Sequence, residues 1–157
     1  MHNTLLHQYQ FILVSRNALF DYCDGIDTDK LLTPLASFNN ESMISQMTHV
    51  ANCYIFWLSH YAMQEHHSFF KNEDQHDLNA VKQAFAQVDI LMNEFLNRFS
   101  TVLDVPVTLP RKGDMVTTTP LQVFTHVTTH EFHHKGQTVN MSRQLGYIPV
   151  DTDVITY

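Results

Sequence analysis

Apolar residues recur at helical spacing in four stretches of the chain. In residues 4–23, Leu5, Tyr9, Ile12, Leu13, Leu19 and Phe20 repeat in this way, and neither Gly nor Pro interrupts them. Gly25 is the expected stop. Residues 26–38 mix Asp, Thr and a Pro and read as a moderately long connection, with a helical turn at 29–32. Residues 44–63 are apolar almost all round (Ile44, Met47, Val50, Tyr54, Ile55, Phe56, Trp57, Leu58), the pattern of a helix buried on several sides. Asn39 or Asn40 is the expected cap of this helix, with Glu41 in its first turn. A third helix is expected from the cap Asp77 to near Ser100, with Val81, Phe85, Val88, Leu91, Met92, Phe95 and Phe99 on its apolar side. The fourth has the clearest boundaries: Thr119 as cap, Pro120 at the first helical position, Gly146 just past the end and Pro149 beyond. Between the last two, residues 101–118 are rich in Val, Thr and Pro and read as an extended crossover with room for a short hairpin. The expectation is an all-α protein: a single domain over residues 1–157, folded as a four-helix bundle with long crossover loops.

Charge narrows the partners. Sixteen acidic residues against nine basic give a formal charge of -7, which repels phosphate backbones and anionic lipid. The basic residues are scattered, only Arg111 and Lys112 being adjacent, so neither nucleic acid nor a membrane is an expected partner. No run reaches the roughly 20 apolar residues that cross a bilayer, and residues 1–16 do not read as a leader. Cys23 and Cys53 are too few for a disulfide framework, which makes a reducing cytoplasm the expected location.

Histidine changes the picture: there are 11 in the chain, and four lie in the fourth helix. At about 100° per residue, with His126 at 0°, His130 falls near 40°, His134 near 80° and His133 near 340°. Val123 and Met141 fall near 60°, Val127 and Leu145 near 100°, and together they define the expected buried stripe. His130 and His134 lie within it, His126 and His133 flank it, and Glu131, Lys135 and Arg143 fall well away. Two buried imidazoles without partners cost on the order of 1–3 kcal/mol each. A shared metal ion removes that cost, because side chains at i and i+4 lie side by side on a helix. The third ligand is expected from another helix, and His49, inside the most apolar one, is the best candidate. On the helix pattern alone the alternative of satisfied core histidines stays open, as do outer-shell or merely exposed roles for His126 and His133. Cys53, four residues after His49, is read as a structural cysteine, with a thiolate ligand as the alternative.

The string Thr129-His130-Glu131-Phe132-His133-His134-Lys135-Gly136-Gln137 resembles the H-x-x-H-H-R-G-Q signature of the DinB superfamily. His49, with Trp57 eight residues on, resembles that family's second-helix region. Lys135 departs from the usual Arg. The resemblance spans essentially the whole chain. It implies a four-helix bundle, often dimeric, with a divalent metal on His49, His130 and His134; zinc or nickel suits imidazole ligands. Relatives of this kind include metal-dependent S-transferases that use low-molecular-weight thiols, as well as isomerases and hydrolases. The expectation is therefore a metal-dependent enzyme acting on a small-molecule substrate, thiol transfer first. The alternatives are a metal-dependent hydrolase, disfavoured by the lack of a visible carboxylate base, or a non-catalytic stress-related metal-binding or dimerisation module. No catalytic residue beyond the metal ligands can be named from the sequence.

Overall fold

The computed structural model describes residues 2–155. Its long helices are α1 (His2–Asp24), α3 (Met43–Tyr54) with its continuation, α4 (Leu78–Arg98) and α5 (Pro120–Gln144); α2 (Thr28–Leu31) is a single turn in the first connection. α3 packs on α4 and α5, and α1 packs on the same two helices from the other side. The four helices thus close a ring in which α1 and α3, and likewise α4 and α5, stand diagonally. Each diagonal step needs a long connection, which is the four-helix bundle with crossovers that the hydrophobic pattern predicts. The second crossover carries a hairpin, β1 (Val107–Arg111) against β2 (Asp114–Thr118), antiparallel with Arg111 opposite Asp114. Its two loop residues, Lys112 and Gly113, both have positive φ (50° and 92°), as a two-residue turn matching the strand twist requires.

The ends of α4 and α5 follow their capping residues. Asp77 accepts from the Ala80 amide, and Thr119 and Gln122 form a reciprocal capping box ahead of Pro120. α3 differs from expectation. Ser42 is its cap, in a box with Ser45, whereas Asn39 and Asn40 take left-handed backbone (φ 54° and 59°) and so close the preceding turn. Beyond Tyr54 the helix continues as a π-helical segment, Ile55–Met63. Gln64 ends it in left-handed conformation, and its side chain donates to the carbonyls of His60 and Tyr61.

The core holds Tyr9, Tyr54, Phe95, Phe124, Leu58 and Met92, all fully buried, and it also holds ions. Arg16, 3% exposed, donates from Nε and Nη2 to the two carboxylate oxygens of Glu131 at 2.7 and 2.9 Å, and from Nη1 to Asp89 at 2.6 Å. Tyr9 donates to Asp89 and Tyr54 to Glu131. One network therefore spans α1, α3, α4 and α5. Burial opposes the Arg16 charge, but the groups around it, Glu131 first and then Tyr9 and Tyr54, together outweigh burial and hold the guanidinium firmly protonated. Lys135 is buried beside this network and donates to Ser15 Oγ and to the Thr152 carbonyl, which fastens the C-terminal segment to α1 and α5. No described helix is long and apolar enough to cross a membrane.

Candidate metal centre

The buried face of α5 runs through Phe124, Val127, Thr128, Glu131, Lys135, Thr138 and Ser142. Val123 and Met141, near 60°, are buried with them, so on the wheel used above the face runs from about 60° to 200° and centres near 130°: it contains Val123, Met141 and Val127 of the expected stripe and extends about 50° beyond the stripe's centre. Glu131 and Lys135 point inward, contrary to the sequence reading, because their charges are met by Arg16 and by Ser15 and Thr152. His130 and His134 consequently sit half-buried at the edge of the face, where α5 packs on α3. His49 leaves α3 at the same seam and is exposed.

These three side chains converge. Their ligating nitrogens lie within 4.8 Å of one another, and His49 Nε2 and His130 Nε2 are 3.1 Å apart. Two nitrogens bound to one zinc at about 2.0–2.1 Å in tetrahedral directions stand about 3.3 Å apart, so the spacing fits a shared cation. The ring centroids of His134 lie 4.8 Å from His49 and 4.4 Å from His130. His134 Nδ1 stands 2.6 Å from Gln46 Oε1 and 2.7 Å from Gln137 Oε1. Both partners are acceptors, so Nδ1 carries the proton and the Nε2 lone pair is left for a cation. Burial first, then the neighbouring imidazoles, pull the His130 pKa down to about 4, and burial followed by His49 lowers that of His134. Neutral imidazole is the form that binds metal. The donor set thus fits a divalent ion.

His133 and His126 surround the three. The Gln137 amide lies 3.1 Å from His133 Nε2, which links His133 to His134 through Gln137. His126 stacks on His130, 5.8 Å between centroids, and meets Trp57 edge-on at 4.7 Å. Its pKa is lowered by burial and then by Arg111. Cys53 groups with His126 and His130 and falls outside the three-histidine set; burial pushes its thiol up to about 12. His60, His66 and His67 form a separate cluster at the end of the π-helical segment, where His60 Nε2 lies 2.6 Å from the His67 carbonyl.

The seam opens on two cavities. One, of about 440 Å³, is lined by His49 and His130 together with Phe56, Trp57 and Arg111. The other, of about 330 Å³, adjoins His49 and His134 and includes Glu41, Ser45 and Gln46. Sequence reasoning missed Gln46, Gln137, Glu41 and Arg111. The two glutamines each lie three residues from a candidate ligand, one helical turn away, whereas Glu41 and Arg111 stand out only as a first-turn acid and as half of the adjacent basic pair.

The DinB family profile matches residues 1–157 of the chain. No curated protein matches it.

Proposed function

Because the chain belongs to the DinB family, we propose that it is a metal-dependent enzyme whose His49, His130 and His134 hold one divalent ion, zinc or nickel, and that it transfers a small thiol to an electrophilic carbon. The convergence of three imidazoles from two helices at the mouth of a cavity carries this reading. A divalent ion there supplies acidity, lowering the pKa of a thiol or water at its open positions to near neutral. The chain's own residues orient and enclose. Gln46 and Gln137 hold the His134 ring, and Phe56 and Trp57 give the cavity an apolar wall against which an electrophile can lie. In the transfer the thiol proton passes to solvent, the sulfur–carbon bond forms, and in a displacement the leaving group departs with its electron pair.

A hydrolytic reading has one observation in its favour: Glu41, one of whose oxygens accepts from Ser45 while the other is left for a proton, lines the cavity next to His49 and His134. Glu131 is not available for that role, since Arg16 and Tyr54 occupy both its oxygens. The deciding experiment screens several low-molecular-weight thiols against a model electrophile, using metal-loaded protein and its His130→Ala variant. Acceleration with at least one thiol, lost in the variant, is expected. Metal-dependent ester hydrolysis without thiol reactivity would transfer the reading to the hydrolase, and silence in both assays would leave a non-catalytic metal module.

A further inference from the structure

The protein is acidic overall, yet the only two adjacent basic residues in its sequence stand together on one wall of the cavity above His49 and His130. Arg111 ends β1 and Lys112 begins the turn. The hairpin carrying them is fixed in place: Tyr61 of the π-helical segment donates to the Val116 carbonyl of β2 at 2.8 Å. The Arg111 guanidinium lies over the Trp57 ring, 4.6 Å from its centroid, which orients the planar fork as stacking on an aromatic face does.

That fork has nothing to hold. Arg111 Nε is shielded from solvent and has no hydrogen-bond partner among the described residues. Among the described residues neither Arg111 nor Lys112 forms an ion pair. No Asp or Glu lines this cavity, although acidic residues outnumber basic ones in the chain. Two cations lining a cavity without a carboxylate, one of them with a donor still unmet, make a receptor for an anion supplied from outside. The lining offers no helix N-terminus and no glycine-rich nest, the backbone devices that gather a phosphate. The fork of guanidinium N–H groups matches the two oxygens of a carboxylate.

We propose that Arg111, assisted by Lys112, binds the carboxylate of a small organic substrate or co-substrate whose apolar portion rests on Phe56 and whose reacting end reaches the histidines. The proposal deepens the metal reading and rests on it only for the reacting end. Trp57 is the one tryptophan in the chain and touches Arg111, so its fluorescence reports on this cavity.

The test titrates phenylacetate, phenylacetamide and phenyl phosphate into the full-length protein while following Trp57 fluorescence, with the metal content of each sample measured in parallel. Phenylacetate is expected to bind about tenfold or more tightly than its neutral amide. Arg111→Gln should remove that preference, Arg111→Lys should retain part of it, and Lys82→Gln, a cation paired with Asp24, should leave it intact. Equal binding of acid and amide, or a preference that survives Arg111→Gln, would overturn the proposal; tighter binding of phenyl phosphate would overturn the carboxylate assignment. Discrimination through Arg111 in protein that neither carries metal nor takes it up when titrated with zinc or nickel would support the anion site and refute the metal reading. Metal-loaded protein without discrimination would do the reverse.

Discussion

Gln137 lies one turn beyond His134 on α5 and takes the Nδ1 proton of that ring on its carbonyl oxygen at 2.7 Å. Gln46, from α3, meets the same proton at 2.6 Å. The ring is thus held from both helices in the tautomer that leaves Nε2 free. Outer partners of this kind typically contribute 10–100-fold in metal affinity. Gln46→Leu combined with Gln137→Leu should weaken metal binding by about that factor, and either change alone should do less because the other amide remains. Competition against a chromogenic chelator measures the effect. Unchanged affinity in the double variant would show that the ring needs no such support.

His49→Ala, His130→Ala and His134→Ala should each weaken metal binding far more than His60→Ala or His67→Ala. The first three remove one donor from a set whose nitrogens lie within 4.8 Å of one another, whereas His60 and His67 bond to each other elsewhere. Calorimetric titration with zinc across the five variants checks this; equal losses would mean that the ion binds at another place.

Replacing Glu131 by Ala should destabilise the fold by about 3–5 kcal/mol, since it strands the buried Arg16 charge. For a chain of this length that corresponds to a fall in Tm of about 6–20 °C. Thermal unfolding reads the change. A loss within about 0.5 kcal/mol, the usual range for a surface position, would contradict the burial of this pair.

The same pair shows where pattern reading stops. The start of α5 could be read because Thr119, Gln122 and Pro120 act locally, through the first turn's own amides. The facing of α5 could not, because Glu131, Lys135 and Ser142 are buried through partners on other segments, Arg16, Ser15 and Thr152 for the two charged residues and Tyr22 for Ser142, while Thr128 and Thr138 are buried with their hydroxyls turned back onto carbonyls of α5 itself. A wheel weighted by apolar residues turned the helix by about 50° and placed His130 and His134 deeper than they lie. The error left the histidine set intact, since i and i+4 side chains stay together however the helix is turned. The π-helical run from Ile55 to Met63 was invisible for a related reason: its residues are as apolar as those of an α-helix. Arg111 was seen only as one of an adjacent basic pair, because its approach to Trp57 depends on how the hairpin docks.

Cys23 is fully buried, and burial, reinforced by Asp24, pushes its thiol up to about 12. In the unfolded chain a thiol ionises at about 8.5. Between these values the unfolded state has lost a proton that the folded state keeps, so stability should fall as pH rises from about 9 towards 12. Below about pH 8 this contribution is constant. Chemical denaturation at a series of alkaline pH values should show the decline, and Cys23→Ala should flatten its slope. An identical slope in the variant would assign the decline to other groups.

The central claim is that His49, His130 and His134 form a metal site, and metal analysis of the protein purified without chelator tests it most directly. The account predicts about one divalent ion per chain in the native protein and a large loss in His130→Ala of unchanged helical content. Native protein that carries no metal, and takes up none when titrated with zinc or nickel, would contradict it.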